Sequence, residues 1–294
     1  MINHQANRNT GGLIVTFNPR IELFERVLAA ISAQVSILLI VDNASRNVGE
    51  IDRLCSTYNF KIIKNHKNMG MAKALNIGVS ELRRNLDIDW VLFIDHDTVL
   101  QNDYVHTLLQ NLYSAQLNTE EIWVVRGTEI YMGKPMTRHK KSPYQKIKGA
   151  LLSGSLVKIN ALKDITFRDD FFVDFVDTDF YNKIRKSKHY ALSFNNVYII
   201  HSLGTTINLQ GRPTTYHDGP RTYLATRNAT VLLMEGFFDF RLLWFTSVSV
   251  ISLIYMEGIK KSLLFFSRGI FDGFLMKIHN KTQLSENQFW SPNL

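Results

Sequence analysis

Trp90-Val91-Leu92-Phe93-Ile94-Asp95-His96-Asp97 places five apolar residues in succession ahead of two carboxylates one residue apart. A run without polar alternation is what a strand needs when both faces of its sheet are covered, as in parallel sheets. Gly12 to Phe17 (GLIVTF) and Ser36 to Asp42 (SILLIVD) have the same character and also run out into polar residues. Between these runs, Ile21 to Ala33 and Gly70 to Arg84 carry apolar residues at helical spacing, and Phe60 to Lys64 reads as a weaker strand. The alternation predicts an α/β fold around an open sheet, where ligands bind beyond the carboxyl ends of the strands. The polar residues at those ends are therefore the candidates for chemistry.

By length the 294 residues admit two domains of about 150 residues each. A hydrophobic content of 45% with only 6 prolines is enough to bury a core and excludes a disordered or collagen-like chain. The formal charge of +8 predicts an anionic partner: nucleic acid, a phosphorylated ligand or an acidic membrane surface. Lysines and arginines are scattered and no nucleic-acid module signature appears, so nucleic acid is not the expected one. A single cysteine, Cys55, excludes an intramolecular disulfide and any multi-cysteine zinc site, and suits a reducing, cytoplasmic compartment. Met1 to Thr10 is polar and lacks a signal-peptide core, so residues 1–10 are expected to be a disordered end. Leu242 to Met256 is apolar but shorter than the roughly 20 residues that span a bilayer, which predicts no transmembrane segment.

After about Gln116 the rhythm becomes irregular, with a basic patch at Arg138-His139-Lys140-Lys141 and a carboxylate-rich run from Arg168 to Asp179. From Thr222 the pattern is helical, and Phe237 to Ile278 mixes aromatic with basic residues. That mixture suits a helix lying in a lipid interface beside anionic headgroups, and equally a helical pair that closes the core or forms a dimer.

Four motifs carry candidate chemistry, three of them at strand ends and one across a loop-to-helix transition. Thr16-Phe17-Asn18-Pro19 and Asp42-Asn43-Ala44-Ser45 can meet the polar edges of a base or ribose, and are also ordinary turn and cap sequences. Asn68-x-Gly70-x-Ala72-x-Ala74-x-Asn76-x-Gly78 sets small residues at every second position, which permits close approach by a ligand or by another backbone. Asp95-His96-Asp97 can share a divalent cation through oxygen ligands suited to Mg²⁺ or Mn²⁺, or can serve as a loop.

In this order and spacing, followed by Ser153-Gly154-Ser155, Phe175-Val176-Asp177-Thr178-Asp179, His201-x-x-Gly204 and Tyr223-x-x-x-Arg227-Asn228, the set resembles family 2 glycosyltransferases, and within them the bacterial rhamnosyltransferases. The resemblance covers about residues 12–230 and implies a GT-A nucleotide-sugar-binding fold, a Rossmann-like open mixed sheet flanked by helices, with a C-terminal helical appendage. It implies a GT-A domain over residues 11–230, nucleotide-binding over 11–116 and acceptor-binding over 117–230, ahead of a helical, membrane-associated region over 231–294.

The activity so implied is inverting, metal-dependent transfer of L-rhamnose from dTDP-β-L-rhamnose to a hydroxyl of a growing, lipid-linked surface polysaccharide at the cytoplasmic leaflet. UDP-galactofuranose or another UDP-sugar is the alternative donor. Donor-binding positions would be Thr16, Asn18, Asp42, Asn68, Gly70, Asn76, Asp95, Ser153, Gly154 and Arg227. Asp97 would coordinate the cation, with Asp95 beside it and His201 closing on metal or diphosphate. The general base would be Asp177, which matches the second residue of the family's Glu-Asp-x-Asp; this chain has Val176 where the glutamate often stands. Two other classes compete: on charge, a non-catalytic basic protein that binds glycan or nucleic acid, and, on the motif, a metal-dependent phosphohydrolase built on Asp95 and Asp97.

Overall fold

The computed structural model describes residues 9–84, 87–131, 134–135, 142–201, 206–209 and 212–279. The N-terminal end before residue 9, the basic patch at 138–141 and residues 280–294 lie outside the described residues.

One compact unit takes the chain up to Phe167 and again over Phe180–Ser202. Its elements run β1 (Thr10–Thr16), α1 (Ile21–Ile31), β2 (Ile37–Asp42), α2 (Val48–Thr57), β3 (Lys61–Lys64), α3 (Met71–Leu82), β4 (Trp90–Asp95), β5 (Thr98–Leu100) and α4 (Tyr104–Ser114). Then follow β6 (Ile122–Tyr131), β7 (Lys134–Pro135), β8 (Tyr144–Ile147), β9 (Ser155–Lys158), α5 (Ala161–Asp164) and β10 (Tyr190–His201). Helix α6 (Val176–Lys186) begins in the second unit and ends in this one.

The sheet has the order β3-β2-β1-β4-β9-β6-β10-β5, with β7 on β6 and β8 on β10. Strands β3, β2, β1 and β4 are parallel, whereas β9 is antiparallel to both β4 and β6. The result is the open α/β sheet that the strand runs predict, mixed as the resemblance implies. Its continuous apolar strands have two faces to fill. Ile14, Leu38, Ile40, Leu92 and Ile94 join the buried cluster with Phe24 and Leu28 of α1 and Leu108 and Leu112 of α4. On the other face α3 presses on β1 so closely that a Cβ on Gly78 would lie 2.3 Å from Leu13 Cδ1. Burying each such aliphatic side chain contributes about 1.5–3 kcal/mol.

Helix α2 has no counterpart among the sequence expectations. It buries only Ile51 and Cys55, too little apolar periodicity to stand out. Cys55 is 1% exposed, and burial pushes its thiol pKa up to about 11.

The second unit comprises Arg168–Asp179 and the chain after residue 202. It contains the hairpin β11 (Thr206–Leu209) and β12 (Arg212–Thr215), then α7 (Gly219–Met234), α8 (Phe240–Glu257) and α9 (Ile259–His279). Asp218 caps α7 by accepting a hydrogen bond from the Arg221 N–H at 2.9 Å. Helix α7 packs with α8 and α9. The apolar run read from sequence as 15 residues forms α8 with 18, mean hydropathy 1.3 and 28% buried. By length and composition alone α8 is long and apolar enough to cross a membrane, whereas the 15-residue run read from sequence is too short to do so.

Candidate functional site

Strands β1, β2 and β4 end side by side. Thr16 stands opposite Asp42, and Val15 opposite Asp95, at the place where the chain turns from one side of β1 to the other. In open α/β sheets this switch point is where ligands bind. Thr16 Oγ1 donates to Asp42 Oδ1 at 2.9 Å, and Asp42 Oδ2 accepts the Ser45 N–H at 3.0 Å, so both carboxylate oxygens brace the turn. Asn18 is exposed with φ 49°; its N–H donates to Ser45 Oγ at 2.9 Å and its Oδ1 accepts the Arg46 N–H at 2.8 Å. These bonds tie the loop after β1 to the loop after β2.

The next loop is tied in by Asn43, which the sequence motif contains but which is absent from the predicted site residues. Its Nδ2 donates to Asn68 Oδ1 at 2.7 Å and to the Gly70 carbonyl at 3.2 Å, while its Oδ1 accepts the Met69 N–H at 2.9 Å. Asn68 Oδ1 also accepts the Gly70 N–H at 3.0 Å. Gly70, at φ 81°, then starts α3 in a conformation that side chains disfavour. Asn76, on α3, holds both backbone groups of Phe167: its Nδ2 donates to the carbonyl at 2.8 Å and its Oδ1 accepts the N–H at 3.0 Å.

Asp95 closes β4, and its N–H donates to Ser153 Oγ at 2.9 Å. Ser153 Oγ in turn donates to Thr98 Oγ1 at 3.0 Å. Gly154 N–H donates to the Phe93 carbonyl at 2.8 Å with φ 79°, and a Cβ there would lie 2.4 Å from Ile199 Cδ1. Behind this loop Tyr104 donates to the Gly154 carbonyl at 2.5 Å, and burial pushes its phenol pKa upward, which keeps the donor protonated. Arg126, 2% exposed within β6, donates to Glu129 Oε1 at 2.7 Å and to the Ser153 carbonyl at 3.2 Å. An arginine and a glutamate in an otherwise apolar strand are the sequence signal for this brace.

Asp97 differs from its neighbours. Its Oδ1 is buried with no hydrogen-bond partner among the described residues. An unsatisfied buried acceptor costs about 1–3 kcal/mol, more when charged, and a hard cation satisfies it. Asp95 and Asp97 thus fit a divalent ion that takes its remaining ligands from water and phosphate oxygens. No cluster of three or more His, Cys, Asp or Glu side chains occurs among the described residues. His96 is half-buried, with Nδ1 3.4 Å from the Val15 carbonyl. His201 ends β10, and its side chain lies outside the described residues.

In the second unit the carboxylate-rich run is gripped by arginines. Arg168 donates from Nε and Nη2 to the two oxygens of Asp170 at 3.0 and 2.7 Å. Arg221 pairs with Asp174 at 3.0 Å, and that carboxylate's charge holds the guanidinium above its ordinary pKa. Arg227, predicted to grip donor phosphate, is 2% exposed and donates to the Asp170 carbonyl at 2.7 Å and to Asn228 Oδ1 at 3.2 Å. Asp174 and Phe175 both have φ 60°, a strained pair that Asn228 Nδ2 holds through the carbonyls of Val173 and Asp174 at 2.8 and 3.0 Å. Helix α6 begins at Val176, so Asp177 lies in its first turn, with Oδ1 accepting the Thr178 N–H at 2.7 Å.

The sequence model of glycosyl transferase family 2 matches residues 13–176. The chain is 23% identical over 249 residues to the dTDP-rhamnosyl transferase RfbF of Shigella flexneri, covering 78% of this chain and 81% of the relative. Among solved structures it resembles S. aureus TarS 1–349, with TM-score 0.49 and 13% identity over 95% of this chain and 76% of that one. It also resembles A197 from STIV, with TM-score 0.42 and 14% identity over 67% and 86% of the two chains.

Proposed function

Because the chain belongs to glycosyl transferase family 2, whose model matches more than half of it, we propose that it transfers L-rhamnose from dTDP-β-L-rhamnose to a hydroxyl of a lipid-linked glycan, with inversion. The observation that carries this reading is the alignment of Thr16, Asp42 and Asp95 at three adjoining strand ends, beside the orphaned Oδ1 of Asp97. The choice of donor is supported by the similarity to a dTDP-rhamnosyl transferase.

Asp97 and Asp95 would hold Mg²⁺ or Mn²⁺, which would supply Lewis-acid charge to a diphosphate leaving group. The loops after β1 and β2, locked by Asp42, Ser45 and Asn43, present a preorganised wall to the nucleotide, with Asn18, Asn68 and Gly70 along it. Ser153 and Gly154 fix the backbone of Asp95 so that the two carboxylates keep one spacing. Asp177 removes the proton from the acceptor hydroxyl as that oxygen attacks the anomeric carbon, in a single displacement through an oxocarbenium-like transition state. The protein works in the cytoplasm, peripheral to the inner face of the membrane where such acceptors are presented.

Incubation with dTDP-rhamnose, UDP-galactofuranose and other nucleotide sugars, with and without Mg²⁺, tests the reading through binding and turnover. Metal-dependent binding and turnover of dTDP-rhamnose is expected. Preference for UDP-galactofuranose changes the sugar, and failure with every donor overturns the activity.

A further inference from the structure

Helices α8 and α9 are built inside out. At about 100° per residue, α8 turns Thr246, Ser249 and Ser252 inward together with Leu242 and Leu253. Ser249 Oγ bonds His217 Nδ1 at 2.8 Å and donates to the Phe245 carbonyl at 2.9 Å, and Ser252 Oγ donates to the Ser249 carbonyl at 2.9 Å. The opposite face of α8 shows Phe240, Leu243, Trp244, Ile251 and Tyr255, each between 49% and 73% exposed.

Helix α9 repeats the inversion. Ser262 is fully buried and donates to the Val250 carbonyl at 3.1 Å. Gly269 and Gly273 press against α7, where a Cβ would lie 2.8 Å from the Tyr223 carbonyl and 2.7 Å from that of Arg227. Leu263, Leu264, Phe271, Phe274 and Ile278 point outward, between 49% and 62% exposed. A surface helix bathed in water buries its apolar stripe and shows its polar one. Small and hydroxyl side chains between helices, with large apolar ones outside, are how helices pack within lipid.

The charges point the same way. Lys261 and Arg268 run along one edge of the apolar face of α9, Lys277 along the other, 3.5 Å from Glu235 at the end of α7, and Lys260 stands at its start, so four cations face three carboxylates. The two acidic residues of these helices, Glu257 and Asp272, are paired with Lys261 and Arg268. A second copy of the chain would bring two basic rims together, whereas an anionic lipid surface meets both the apolar face and its rim. We propose that this α8–α9 face docks on an anionic bilayer in the plane of the interface, with Trp244 and Phe271 among the upper acyl chains and Lys260 and Lys277 at the headgroups. Only Gly258 separates the helices, and α9 carries charge along its length, so the pair lies in the interface rather than crossing it.

This deepens the membrane side of the proposed function and is tested without donor or acceptor, so failure here leaves the sugar assay untouched. The full chain is sedimented with vesicles of phosphatidylcholine alone and of phosphatidylcholine with phosphatidylglycerol. Binding to the anionic vesicles is expected, about tenfold or more weaker without the anionic lipid. Brominated lipid should quench Trp244 fluorescence, a quench that Trp244→Phe removes while binding persists. Combining Trp244→Ser with Phe271→Ser should lower vesicle affinity about tenfold or more, with helical content and donor binding unchanged. Equal binding to both vesicles, full binding by the double variant, or resistance to alkaline extraction overturns the in-plane docking. So does a dimer in vesicle-free solution that the double variant dissociates, which assigns the face to a second copy.

Discussion

The aspartates of the sheet unit and those of the helical unit are treated in opposite ways. Around Asp95 and Asp97 the bracing groups are neutral, Ser153 and Thr98, while the buried guanidinium of Arg126 is turned onto Glu129 and a carbonyl. In the run from Asp170 to Asp174 each carboxylate faces an arginine, Arg168 or Arg221, and Arg227 and Asn228 take up the carbonyls. The first arrangement leaves Asp97 Oδ1 buried without a hydrogen-bond partner among the described residues. The second neutralises its charge internally and uses it to fix a strained loop just ahead of Asp177. Residue type alone does not separate a ligand site from a strut; the charge of the neighbours does.

Four measurements can break or sharpen that contrast. The largest effect is expected from Asp177→Asn, which should lower transfer about 10²–10⁴-fold with donor affinity unchanged by calorimetry; retained turnover moves the base to Asp174 or Asp179. Asp97→Asn should cost about 10²–10³ in turnover and, unlike Asp177→Asn, should abolish the gain in donor affinity on adding Mg²⁺. An undiminished Mg²⁺ response would mean that the first arrangement is not a cation site.

The third measurement concerns the helical unit. Burial lowers the pKa of His217 from 6.5 to about 4, with Asp174 opposing the shift and Arg221 adding to it. Above pH 6.5 the ring is neutral in folded and unfolded chains alike. Between pH 6.5 and 4 the unfolded chain binds a proton that the folded one refuses, so stability falls on acidification and levels off below pH 4. Denaturant titrations should show a loss of up to about 3 kcal/mol across that window, and His217→Asn should flatten it. The smallest effect belongs to Asn228→Ala, which strands two carbonyls under the strained pair and should cost about 1–2 kcal/mol. It should leave the Mg²⁺ response intact, because it touches only the second arrangement.

The strands were legible because β1, β2 and β4 are covered on both faces and therefore lack polar alternation, and their polar ends marked the site. Helix α2 was not, since two buried residues make no periodic stripe. Strands β9 and β6 were hidden for another reason: they join the sheet out of sequence order, β9 running antiparallel between β4 and β6, a property of the pairing and not of any local run. At the site, Asp95 and Asp97 stood out by position. Asn43 and Asn228 act through long-range hydrogen bonds to backbone groups or side chains, which no spacing in the chain encodes. Arg227 shows the converse: four residues from Tyr223 it reads as a phosphate grip, and only tertiary packing reveals a carbonyl beneath it.

Cys55 has a practical consequence. It is the chain's one cysteine, 1% exposed on the inner side of α2, and its thiol titrates near 11. Thiolate chemistry at neutral pH therefore waits for the sheet unit to open. The rate at which an alkylating reagent captures it is a built-in clock for that opening. A reporter cysteine introduced on the surface can likewise be labelled in the native protein without first removing the natural one.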